Sequence, residues 1–358
     1  MKKSGLLFYI CILLSKFTFA QSGFEIRQKI GFLAAHHAGM AHLAQNLACA
    51  TELSYVKKLN GEQIWHSYFR EPVVGGTLFL GSVGNNDILG RFVGLYGFAE
   101  MPLVKHKNYR MDWKFGTGIG YTNRPYDPIL NPKNVAIGSR VNAMMCFALK
   151  QTFAFKQSAI TLAMDMTHFS NGAFKVPNLG INLPYVSVGF QHFLPEKTLK
   201  VQPMEVFYNY NHWQPSVNGM LSFKETMPIG GEKYPVYAGS FSIRNYFTPK
   251  AGFEVNLDVI SKQALLNYEP MVAKSQLDIL QVGISASYLL PLDRFNFVYG
   301  LGVYVRDRYR AEGPLYIRLG CRYYLSHQIS AFFGLKTHYE KADYLEFGLT
   351  YHFKKRNK

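Results

Sequence analysis

Two side chains capable of nucleophilic chemistry stand two residues apart in Thr167-His168-Phe169-Ser170-Asn171-Gly172-Ala173. On a β-strand such residues share a face, with Cα atoms about 6.5–7 Å apart, so the His168 imidazole can reach the Ser170 hydroxyl and take its proton. Further on, Asn182 carries an amide oxygen that can accept a hydrogen bond from the other ring nitrogen and fix the tautomer. Asn178 and the backbone N–H groups of Asn171, Gly172 and Ala173 are candidates for an oxyanion hole. The candidate roles are Ser170 as nucleophile, His168 as general base and Asn182 as orienting amide. The same residue types also suit a polar strand end that merely solvates a turn.

The strands that hold these residues bear on that choice. Along Ala159 to Ser170, the even positions are Ile160, Leu162, Met164, Met166, His168 and Ser170, and the odd ones include Thr161, Asp165 and Thr167. On the next strand, Val186, Val188 and Phe190 share the parity of Asn182. With a period of two and no bulge, His168, Ser170 and Asn182 all end an apolar, outward face. Asp165 has the opposite parity and is expected to point inward, so it does not substitute for Asn182.

Period-two alternation recurs along the chain. Leu345, Phe347, Leu349, Tyr351 and Phe353 alternate with Glu346, Gly348, Thr350 and His352, and Leu315 to Tyr324 and Met111 to Tyr121 behave alike. A soluble sandwich would also alternate. Long segments, apolar faces ending in aromatics and opposite faces mixing Gly, Ser, Lys and Arg favour a membrane barrel. About eight candidate segments precede Pro195 and about eight follow it. The expected fold is therefore all-β, an antiparallel outer-membrane β-barrel of about 12–16 strands. The alternative is an eight-stranded barrel followed by a C-terminal β unit, with a boundary in 194–203. The motif falls in about 30–195 and the later strands in about 200–353. The Pro- and Asn-rich stretch Asn123 to Asn134 reads as a loop.

His168-Phe169-Ser170-Asn171, followed by Pro177-Asn178-x-Gly180-Ile181, resembles the signature of the lipid A 3-O-deacylase family of outer-membrane barrels. Weaker similarity extends over Phe32 to Phe193, and the whole chain is similar to Bacteroidetes-type acyloxyacyl hydrolases. The resemblance implies a serine nucleophile, a histidine base and an acidic third member at a site facing the outer leaflet. It also implies lipid A, as lipopolysaccharide or lipooligosaccharide, as the partner. Where the family's acid would fall, this sequence has Asn182. An amide orients an imidazole but does not neutralise an imidazolium, so activity is expected to be weaker than with a carboxylate.

The N-terminal segment reads as a signal peptide over 1–20, with Lys2 and Lys3, an apolar Leu6 to Leu14 and small residues around Ala20. Its removal takes Lys2, Lys3 and Lys16 and no acid, lowering the formal charge from +16 to +13. Cleavage near Ala20 and the outer membrane of a Gram-negative-type bacterium are the expected destination. Cys49, Cys146 and Cys321 are too few and too scattered for a disulfide framework. His36, His37 and His42, with Met40, lack a carboxylate or thiolate at ligand spacing, so no metal and no cofactor is expected. The basic run Lys105 to Arg110 reads as a turn at a membrane rim, and nucleic acid is not an expected partner. The rival function is a non-catalytic pore or structural barrel with a vestigial site. A soluble lipase lacks support, because no G-x-S-x-G elbow surrounds any serine.

Overall fold

The computed structural model describes residues 21–59, 64–195, 210–226, 228–268, 275–309, 313–339 and 341–353. The expected signal segment, the 196–209 connection and the basic tail beyond Phe353 lie outside them. The first eight strands are β1 (Ser22–Gly31), β2 (Ala48–Lys58), β3 (Val73–Ser82), β4 (Arg91–His106), β5 (Tyr109–Thr122), β6 (Val141–Phe155), β7 (Ser158–Ser170) and β8 (Ile181–Phe193). They pair in sequence order, and β1 closes on β8 from Gly23↔Phe193 to Gly31↔Tyr185. The remaining strands are β9 (Gln214–Glu225), β10 (Lys233–Thr248), β11 (Ala251–Lys262), β12 (Leu280–Leu292), β13 (Phe295–Arg306), β14 (Leu315–Tyr324), β15 (Ile329–His338) and β16 (Lys341–His352). These form a second closed barrel, sealed where β16 pairs with β9.

The all-β barrel reading therefore holds in its alternative form. Sixteen strands close as eight and eight, not as one ring of about 12–16. Closure leaves no sheet edge in either unit. It also excludes the sandwich.

Eight strands enclose a bore that side chains can fill, and both bores are filled. In the first barrel, Lys29 pairs with Glu52 at 3.0 Å and Asp165 at 2.8 Å, and Lys150 pairs with Glu25 at 3.0 Å and Glu100 at 2.9 Å. In the second, Arg318 bridges Asp258 and Glu346, each at 2.8 Å, while Lys224 and Lys262 meet Asp343 at 2.7 Å. Removing one partner from such a buried pair costs about 3–5 kcal/mol, since a charge is left uncompensated. Asp165 thus points inward, as its parity requires.

The outer walls show the converse pattern. Leu95, Ile119, Met164 and Leu349 are each at least 60% exposed, and every one occupies an outward position. Some outward residues are buried where the barrels touch. Met101 of β4 and Leu292 of β12 are 5% and 6% exposed, packed with Trp113, Leu290 and Phe297. Phe115 meets Phe297 edge-on at 5.2 Å.

The two ends of the first barrel differ. At one end, β4–β5 and β6–β7 are joined by tight turns, although a short helix, Ile64–Tyr68, lies between β2 and β3. At the other end lie the longer connections 32–47, 83–90, 123–140 and 171–180. The candidate residues sit at this second end.

Candidate active site on the outer rim

The end of β7 is fixed by the residue between the two reactive ones. Phe169 is fully buried, pointing inward against Phe92 at 4.7 Å and Phe79 at 5.7 Å between ring centroids. Gly120 makes room for it: a Cβ there would approach Phe169 Cε1 to 2.5 Å. With Phe169 anchored inward, the strand alternation turns His168 and Ser170 outward. The pairing of β7 with β8 runs without a register shift and sets His168 directly opposite Asn182. The three residues therefore share the outward face read from their parity.

Their contacts are specific. His168 Nδ1 and Asn182 Oδ1 lie 2.6 Å apart, so the ring nitrogen donates to the amide oxygen. That leaves Nε2 of the neutral imidazole as the lone-pair nitrogen. Ser170, 9% exposed, accepts at Oγ from Asn178 Nδ2 at 2.9 Å and from the Gly172 N–H at 3.2 Å. Among the described residues, Ser170 Oγ and His168 are not hydrogen-bonded to each other.

The turn after β7 supplies these donors. Gly172 and Ala173 have φ of +60° and +61°, a left-handed pair that aims the Gly172 N–H back at Ser170. Asn171 donates its backbone N–H to Asn178 Oδ1 at 3.0 Å, and its side chain binds Ser139 Oγ at 3.0 Å and Lys175 O at 2.8 Å. The Asn171 N–H therefore orients Asn178, leaving Gly172 and Asn178 as the two donors on the hydroxyl. Gly180 (φ +80°) passes close over the imidazole, where a Cβ would lie 3.0 Å from His168 Cε1.

Two further neighbours escape a sequence reading. The second barrel reaches the turn: Ala173 O accepts from the Glu225 N–H at 3.2 Å, and a Cβ on Gly172 would lie 2.5 Å from Leu345 Cγ. His36, in the loop after β1, places Nδ1 3.2 Å from Asn182 Nδ2 and Nε2 3.0 Å from Leu179 O. His42 instead contacts Lys133 O at 2.8 Å, so His36 and His42 serve separate backbone partners.

Below the His168–Asn182 pair, the outer wall carries two apolar rows. One runs Phe147, Met166, Pro184 and the other Leu149, Met164, Val186, Ile30, each linked strand to strand by the register. They line an open depression of about 770 Å³.

This arrangement defines a class of β-barrel protein whose polar chemistry sits on the outer rim, with a filled bore. The sequence profile of the lipid A 3-O-deacylase (PagL) family matches residues 50–191, and that of the acyloxyacyl hydrolase C-terminal domain matches residues 211–355. The chain belongs to this family of ester hydrolases acting on lipid A. No curated protein matches it. Two variants of the Rhodopseudomonas blastica porin, one a triple mutant, align over 93% of this chain and 99% of theirs, at 7% identity and a TM-score of 0.17. That likeness is too slight to argue from.

Proposed function

We propose that the protein is an outer-membrane serine esterase that removes an ester-linked acyl chain from lipid A or a related outer-leaflet glycolipid. The observation that carries this reading is the shared outward face of His168 and Ser170, directly above the apolar rows of β6, β7, β8 and β1. A lipid lying along those rows brings its ester to the rim while its head group stays in water. The long loops stand at the same end as the site, and in outer-membrane barrels such loops face outward from the cell. A contiguous apolar outer wall of this extent suits lipid better than water.

In this mechanism, His168 Nε2 accepts the Ser170 proton as Oγ attacks the ester carbonyl. The carbonyl oxygen becomes an oxyanion and takes over the Gly172 N–H and the Asn178 amide, which bind the hydroxyl beforehand. The His168 imidazolium then protonates the departing alkoxide oxygen of the glycolipid. Water, activated by the same nitrogen, hydrolyses the acyl-serine and frees the fatty acid. Asn182 keeps Nδ1 protonated throughout, supplying orientation without charge. Ion-paired side chains across both bores weigh against a pore.

The test is mass spectrometry of lipid A from cells carrying the protein or its Ser170→Ala variant. The variant should leave lipid A fully acylated while keeping the faster gel migration of an unheated closed barrel. Full deacylation by Ser170→Ala would refute the site.

A further inference from the structure

A neutral third residue faces a difficulty that a carboxylate avoids. Either oxygen of a carboxylate accepts the Nδ1 proton, but an amide presents an acceptor on one side and a donor on the other. If Asn182 turned over, Nδ2 would donate to Nδ1 and the His168 proton would move to Nε2. His168 could then no longer accept from Ser170. The geometry points to His36 as the group that prevents this. Its Nε2 lies 3.0 Å from Leu179 O, which can only accept, so Nε2 is the nitrogen that donates a proton. Nδ1 is then a lone pair, 3.2 Å from Asn182 Nδ2, and accepts from it. Ala34 O, also 3.2 Å from Nδ1, would become its partner only if Nδ1 were protonated.

The result is a relay of fixed polarity. His36 Nε2–H donates to Leu179 O, Asn182 Nδ2–H donates to His36 Nδ1, and His168 Nδ1–H donates to Asn182 Oδ1. Each bond sets the direction of the next, and the last leaves Nε2 free to act as base. His36 is thus a positioning residue, acting on the reaction only through Asn182 and His168. The loop is tied in place by the Ala34 N–H, which donates to Asn182 O at 2.9 Å. This inference rests on the site proposed above.

The experiment changes the polarity at position 36 and reads both turnover and tautomer. His36→Ala frees the amide without forcing it, and should lower kcat by about two- to fivefold with little change in KM, because the two orientations become nearly equivalent. His36→Lys offers only donors, which pull Asn182 Oδ1 away from His168. It should lie about ten- to hundredfold below His36→Ala, the bias that a hydrogen bond to a charged group supplies. His36→Gln, whose amide oxygen can accept, should stay within about threefold of the parent. In an Asn182→Glu background the Lys substitution should lose its effect, since a carboxylate accepts from both sides. Nitrogen-15 NMR of the histidine-labelled protein in detergent should show His168 protonated at Nδ1 in the parent and at Nε2 in His36→Lys. Unaltered turnover and an unaltered His168 tautomer in folded His36→Lys would overturn the inference. The NMR signature does not need the reaction, so it stands or falls apart from the Ser170→Ala result.

Discussion

Replacing Gly172 by alanine tests whether the second barrel constrains the turn that carries the proposed oxyanion donors. The new Cβ would lie 2.5 Å from Leu345 Cγ, against about 3.5–4.0 Å for a relaxed carbon contact, so the turn must retreat by roughly 1 Å. The Gly172 N–H, 3.2 Å from Ser170 Oγ, would then stand about 4 Å away, beyond useful hydrogen-bond range. Loss of one oxyanion donor costs about 10²–10³ in kcat. The φ of +60° at Gly172 adds about 1–2 kcal/mol of backbone strain for alanine, which removing Leu345 does not relieve. The assay is single-turnover release of fatty acid from lipid A in mixed micelles, with unheated gel migration as the folding control. Gly172→Ala should therefore fall by about 100-fold, and adding Leu345→Ala should recover about tenfold by opening the space. Full activity in Gly172→Ala, or no recovery in the double variant, would refute the reasoning.

Other predictions follow from the same geometry. Asn182→Asp should match or exceed the parent rate, while Asn182→Ala should lose about tenfold or more, as measured by kcat on lipid A. Phe169→Ala should cost about 3–5 kcal/mol through the cavity left between Phe79 and Phe92, read as a lower midpoint in denaturant, with activity falling as the strand end loosens. Met164→Arg puts a charge on the apolar outer wall and, in the proposed membrane setting, should destabilise the barrel by up to about 2–4 kcal/mol. It should also raise KM more than it lowers kcat, which a vesicle-based titration would separate.

The parity of His168, Ser170 and Asn182 could be read from sequence because β7 and β8 pair without a bulge, so the period of two carries unbroken from Ile160 to Ser170. The inward turn of Asp165 came from the same regularity. Alternation gives about eight segments on each side of Pro195 and so offers the two-unit division as an alternative, but it does not decide between one ring and two. Alternation reports which face a residue takes, but not which strand closes the ring. The closure of β1 on β8 joins Gly23 to Phe193, and nothing local in either segment names its partner. His36 was legible only as one of three nearby histidines, a composition that suggests metal. It lies in a loop, where no period assigns a face, and its contact with Asn182 spans most of the first barrel's sequence. The approach of Leu345 to Gly172 was hidden for the same reason, since it joins two separately closed rings.

For the proposed lipid esterase, the seam between the barrels, where Met101, Trp113 and Phe115 meet Leu292 and Phe297, has a kinetic consequence. A substrate confined to a membrane leaflet searches in two dimensions, and it can collide only with wall that is not already covered by protein. The second barrel removes one sector of the first barrel's perimeter from that search, while the wall of β7, β8 and β1 stays open. Encounters are thereby channelled to the arc that carries the Met164 and Met166 rows. Under the proposed function, both products, a free fatty acid and a glycolipid lacking one chain, leave through that same arc. Under the same proposal, lateral exchange along that side of the molecule then sets turnover at high lipid density, because neighbouring lipids compete with product there.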